Sequence, residues 1–131
     1  MADYGEAKVF RIAEMEAITE IPKHHRCSGY SLIPRETGVG FSFSLTEMAP
    51  GGKAETDAHE GREHCFFVLS GIGEAHVNGK EFMVHPYECL WIPPGAVHDF
   101  KTVGGQTLRF LVVTSPAFWK EVGSSGKGVK G

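Results

Sequence analysis

Gly52-Lys53-Ala54-Glu55-Thr56-Asp57-Ala58-His59-Glu60-Gly61-Arg62-Glu63-His64-Cys65-Phe66-Phe67-Val68-Leu69-Ser70-Gly71 decides the fold of this chain. The segment reads as two strands joined at Glu60-Gly61-Arg62, with Asp57 and His59 closing the first and His64 opening the second. Residues two apart in a strand face one side, about 6.5–7 Å apart, so Asp57 and His59 can address one ion above the sheet. The returning strand brings His64 alongside. Turning His64 inward also turns Phe66 and Val68 inward and leaves Glu63 outside. A register slip of one residue would make Glu63 the third ligand instead.

On both sides of this segment, short apolar or alternating runs follow one another at the spacing of a sandwich or barrel. The pattern predicts strands at Val39–Met48, Ala54–His59, His64–Ser70, Gly73–Val77, Lys80–Val84, Glu88–Ile92, Val97–Val103 and Gln106–Thr114. Asn78-Gly79 is a two-residue hairpin signal, because both central positions of a type I′ turn need positive φ. Pro50-Gly51-Gly52, Pro93-Pro94-Gly95 and Gly104-Gly105 mark further turns. Ahead of Val39, Val9-Phe10-Arg11-Ile12 and Tyr30-Ser31-Leu32-Ile33 are candidate edge strands, and Ile12–Ile18 fits one helical turn. Pro116 followed by Ala117–Val122 predicts a short terminal helix, with a frayed Gly/Ser/Lys-rich tail from Gly123. The expected organisation is an all-β barrel over 39–114. An extension over 1–38 packs on the barrel or on a partner subunit, and 115–131 forms the helix and tail.

The chain has 131 residues, 41% hydrophobic and 22% charged, which suits one domain with its own core. Its net charge is −3 and no stripe of Lys and Arg is present, so nucleic acid is not an expected partner. No apolar run approaches the roughly 20 residues that span a bilayer. Asp3 and Glu6 stand where a secretory peptide would be apolar, and a cytoplasmic location is expected. Cys27, Cys65 and Cys89 are odd in number and lack CxxC spacing, so they read as free thiols.

A fourth ligand comes from Pro93-Pro94-Gly95-Ala96-Val97-His98, where a tight turn feeds a strand that a closed barrel can bring beside the others. Three imidazoles and a carboxylate (Asp57, His59, His64, His98) suit one divalent transition metal: Mn, Fe, Ni, Co or Zn. Calcium would want more oxygen. His24, His25, His76 and His85 lack such support and read as structural or solvated.

Over about 39–114 the sequence resembles the cupin superfamily. That family's first signature is Gly, His-x-His, then Glu after three or four residues, and Gly after six more; Gly52 through Gly71 follows the layout with substitutions. Its second, Pro-x-Gly-x-x-His, stands intact at Pro93–His98. Asp57 occupies the place of the first His, and His64 falls where the family has its acid, so carboxylate and imidazole have exchanged places. The resemblance implies a double-stranded β-helix (jelly-roll) barrel, one metal ion, a small-molecule ligand and a homodimer.

Phe43, Phe66, Phe100 and Phe110 are candidates to line an apolar substrate pocket, or to fill the barrel. A metal with four protein ligands keeps room for substrate oxygens or O₂, which fits an isomerase, lyase, hydrolase or dioxygenase. Glu55 or Glu63 is a candidate proton shuttle. The alternative is a non-catalytic module that binds or senses a small metabolite through its metal.

Overall fold

The computed structural model describes residues 5–122. Eight strands form one sheet: β1 (His24–Ser31), β2 (Ser42–Asp57), β3 (Glu63–Ser70), β4 (Ile72–Val77), β5 (Lys80–Val84), β6 (Cys89–Ile92), β7 (His98–Val103) and β8 (Leu108–Ser115). Their order is β5-β4-β7-β2-β8-β3-β6, with β1 on the free edge of β2. The sheet curls into a nearly closed barrel because β2 serves two halves. Its residues 42–48 pair with β8, and 53–57 pair with β7.

The expected strands Val39–Met48 and Ala54–His59 are thus one strand. Pro50-Gly51-Gly52 bends the chain without reversing it, and Gly51 takes the left-handed conformation at φ 83°. The β1–β2 register shifts at this bend, five steps on β2 against two on β1; Arg26, at φ 55°, stands opposite it and its Nε donates to the Pro50 carbonyl. β1 itself begins six residues before the predicted Tyr30. Val9–Ile12 forms no strand, and a single 3-10 turn spans Ile12–Glu14. The Asn78-Gly79 hairpin forms as read, with φ of 51° and 84°.

Ala117–Val122 is a turn, not the expected helix. Its backbone groups bond to distant parts of the chain, and among the described residues only the local turn from the Lys120 N–H to the Ala117 carbonyl is present. The Ala117 N–H donates to Gly40, the Phe118 N–H to Ser42 Oγ, and the carbonyls of Phe118 and Lys120 accept from Arg62. Residues 123–131, expected to be frayed, lie outside the described residues.

Cross-strand partners share a face, so the register says what the barrel encloses. Ser42, Thr114, His64 and Ile92 form one inner row; Ser44, Val112, Phe66 and Leu90 form the next. Deeper still, Val68, Phe110, Phe100, Met48 and Leu108 make the packed core. The outer face of the same strands is also apolar. Phe43, Val113, Cys65 and Trp91 align in one outer row, and Leu45, Leu111, Phe67 and Cys89 in the next. Arg109, with Glu47 beside it at 2.9 Å, closes this face as an ion pair.

Candidate metal centre

Three imidazoles meet at one end of the barrel. The ring centroids of His59, His64 and His98 are 5.1, 5.3 and 5.6 Å apart, a nearly equilateral triangle. One nitrogen from each lies within 4.8 Å of the others. Each ring arrives differently. His64 is an inward residue of β3. His98 opens β7. His59 sits in the loop after β2, where its carbonyl accepts from the N–H groups of Arg62 and Gly95. That shared carbonyl fastens the loop carrying His59 to the turn that leads to His98.

Hydrogen bonds orient two of the rings. His98 Nδ1 donates to the Ala96 carbonyl at 3.0 Å, which leaves the Nε2 lone pair free in the neutral ring. His64 Nδ1 lies 2.9 Å from Thr114 Oγ1. The other nitrogen, His64 Nε2, is shut off from solvent and has no hydrogen-bond partner among the described residues. A buried polar atom left without a partner costs about 1–3 kcal/mol. A metal ion among the three rings removes that deficit, and imidazole nitrogens held from behind by oxygens are what such ions bind. The donor set fits a divalent transition metal.

Burial, reinforced by the facing rings of His98 and His59 and by the Arg62 guanidinium, pushes the His64 pKa down to about 4. Burial also lowers that of His59. Both rings are therefore neutral, with lone pairs available, near pH 7. For the metal-free protein the sign follows: between about 6.5 and 4 the unfolded chain holds a proton that folded His64 refuses. Stability is thus full above pH 6.5 and declines as pH falls towards 4. Denaturant titrations of metal-free protein across this window should show the decline, and His64→Asn should flatten it.

Asp57 is adjacent but differently engaged. Its Oδ2 lies 3.7 Å from His59 Nε2, yet Oδ1 accepts from the Ala58 N–H at 2.9 Å and faces Lys23 Nζ at 3.4 Å. The carboxylate does not join the three-nitrogen group. Burial works to raise its pKa, but Ala58, His59 and Lys23 together outweigh this and hold it low. Of the four residues read from sequence as ligands, the structure brings three together and sets the fourth beside them.

Glu63 lies on the outer face, accepting from Trp91 Nε1 at 2.7 Å, so the register resolves the choice of inward residue in favour of His64. Glu55 is exposed and bonded to His25. Neither candidate shuttle faces the rings. Phe43 also does not: it pairs with Val113 on the outer face, and Ser42 and Ser44 point inward in its place. Phe100 and Phe110 are 1% and 4% exposed and fill the core. Phe66 alone spans the two regions, with ring centroids 6.3 and 6.4 Å from His64 and His98 and 5.1 Å from Phe100. Sequence reasoning missed Thr114 and Arg62. Arg62 had a signal, since it stands two residues before His64.

Several known proteins are similar. A mannose-1-phosphate guanylyltransferase of Klebsiella pneumoniae is 29% identical over 96 residues, covering 73% of this chain but only 19% of the relative. An oxalate-binding protein of Thermotoga maritima is 28% identical over 71 residues, 54% of this chain and 59% of that one. The chain thus spans about a fifth of the first relative and under two thirds of the second. The crystal structure of the polyketide cyclase RemF from Streptomyces resistomycificus superposes with a TM-score of 0.74 at 31% identity, over 84% of this chain and 80% of RemF. The family model of the cupin domain matches residues 44–114, from the inner hydroxyl strip of β2 to Thr114 behind His64. This chain belongs to the cupin family.

Proposed function

We propose that the chain is a metal-dependent small-molecule enzyme. Its substrate presents two neighbouring oxygens to a divalent transition metal (Mn, Fe, Ni, Co or Zn) held by His59, His64 and His98. Asp57 becomes a fourth ligand if it exchanges Lys23 for the ion. The observation that carries this reading is the buried His64 Nε2, without a hydrogen-bond partner among the described residues, on one of three converging imidazoles. A bound ion of this kind supplies Lewis acidity to a coordinated oxygen. The chain's own residues do the rest. Thr114 and the Ala96 carbonyl hold two rings in place, and Phe66 closes the floor against water.

The relatives support the substrate class. Oxalate carries paired carboxylates and a polyketide carries carbonyls on alternate carbons, so the ligands named for the oxalate-binding protein and for RemF share two chelating oxygens. The test is proton exchange into D₂O of a β-diketone by protein purified without added metal, after elemental analysis. Exchange should require bound metal and vanish in His98→Ala. Metal-loaded protein that binds oxalate but exchanges no protons would instead support a binding module. One observation favours that second reading: Glu55 and Glu63 both face away from the rings and are already bonded.

A second copy of the chain is the proposed occupant of the apolar outer face. Trp91, 56% exposed, ends a row whose other members, Phe43, Val113 and Cys65, are half-buried, and it would lie in water on a lone subunit. Trp91→Lys should convert a dimer to a monomer in sedimentation analysis. A wild-type monomer at every concentration tested would refute this part.

A further inference from the structure

Arg62 is a cation in an unusual position. It is 4% exposed, and no described carboxylate forms an ion pair with it. Its Nη2 donates to the carbonyls of Phe118, at 3.0 Å, and Lys120, while its Nε is shut off from solvent and has no partner among the described residues. Burying a guanidinium with only neutral acceptors is costly. Its planar fork of donors is suited to take a carboxylate in two-pronged fashion.

The surroundings say where that anion would sit. Arg62 lies two residues before His64, at the lip of the barrel end that holds the three rings, and its N–H donates to the His59 carbonyl. Its positive charge is felt at both His59 and His64. Asp57, the carboxylate nearest the rings, is already neutralised by Lys23. With a divalent ion among the imidazoles, the positive charges of the ion, Arg62 and Lys23 at this end of the barrel outnumber the nearby carboxylates of Asp57 and of Glu60, which lies against Gly95. The segment from Pro116 to Val122 crosses this end and lends Arg62 its two carbonyls.

We propose that Arg62 is the anion anchor of the site, exchanging the Phe118 and Lys120 carbonyls for a carboxylate on the ligand that the metal holds. This deepens the metal reading given above and depends on it. It selects acids over neutral chelators: a dicarboxylate or an oxo-acid reaches the ion with one end and Arg62 with the other. It also ties ligand binding to displacement of the 116–122 segment, because the guanidinium cannot serve both.

The test uses full-length protein loaded with one equivalent of cobalt and titrated with oxalate and, separately, with imidazole, a neutral metal ligand. Wild type should bind oxalate, and Arg62→Gln should weaken oxalate at least tenfold while imidazole affinity stays within twofold. Arg62→Lys, which retains the charge, should recover part of the loss; if Arg62→Gln fails to fold, the lysine variant against wild type gives the same comparison, with a smaller loss confined to oxalate. Equal weakening of both ligands, or no change in either, would overturn the anchor and leave the metal site standing. Failure of wild type to take up cobalt would instead remove the reading on which the anchor rests.

Discussion

Replacing His98 by Ala should leave the barrel folded and lower metal affinity at least about a hundredfold. Loss of a partner behind a ligand alone costs about 10–100-fold in affinity, and loss of the ligand costs more. The side chain's one hydrogen bond is to the Ala96 carbonyl, so the fold loses about 1 kcal/mol through that acceptor. The remaining nitrogens, on His59 and His64, cannot close a coordination shell around an ion that needs four or more ligands. Competition against a chelating dye measures the change. Affinity within threefold of wild type would mean that the ion sits elsewhere.

Phe100→Ala should destabilise the protein by about 3–5 kcal/mol, the usual cost of emptying a buried aromatic site. The ring is 1% exposed and lies 5.1 Å from Phe66 and 5.0 Å from Phe110. It also presses on the backbone of Gly73, where an added Cβ would meet the ring at 2.4 Å. So close a fit on several sides leaves little scope for collapse. The melting temperature should fall by about 10 °C or more. A loss below about 1 kcal/mol would show that the barrel is not packed around this ring. The effect should extend to the site, because Phe66 stands between Phe100 and the imidazoles.

Sequence periodicity made the strands legible wherever turn chemistry was local, as at Asn78-Gly79. It failed where a turn signal marked a bend. Pro50-Gly51-Gly52 looks like a reversal, and only the ladder with β1, where five steps on β2 match two on β1, shows that the chain continues. The three imidazoles were legible because each belongs to a regular strand or a tight turn next to one. Asp57 was less so. Between Ala54 and Asp57 the β2–β7 ladder slips, three steps on β2 matching two on β7, and this sets Asp57 opposite His98. No alternation rule contains that slip.

Phe43 exposes a second limit. Phe41-Ser42-Phe43-Ser44-Leu45-Thr46 alternates cleanly, and the usual reading turns the aromatic side inward. Here the outer face is apolar as well, so alternation identifies two faces without saying which is enclosed. The pairing of Ser42 with Thr114, and of Thr114 with His64, supplies the answer through long-range register. The Ala117–Val122 helix failed for a related reason: Arg62, distant in sequence, takes the Phe118 carbonyl that a helix would have paired with the Val122 N–H.

One ion shared by His59, His64 and His98 underlies the proposed chemistry, and anomalous diffraction from crystals soaked in cobalt or zinc addresses it directly. One peak about 2.0–2.2 Å from a nitrogen of each of the three rings is the expected result. A peak only at Glu74, His76 and Glu81 on the outside of the barrel, or none at the rings, would contradict it.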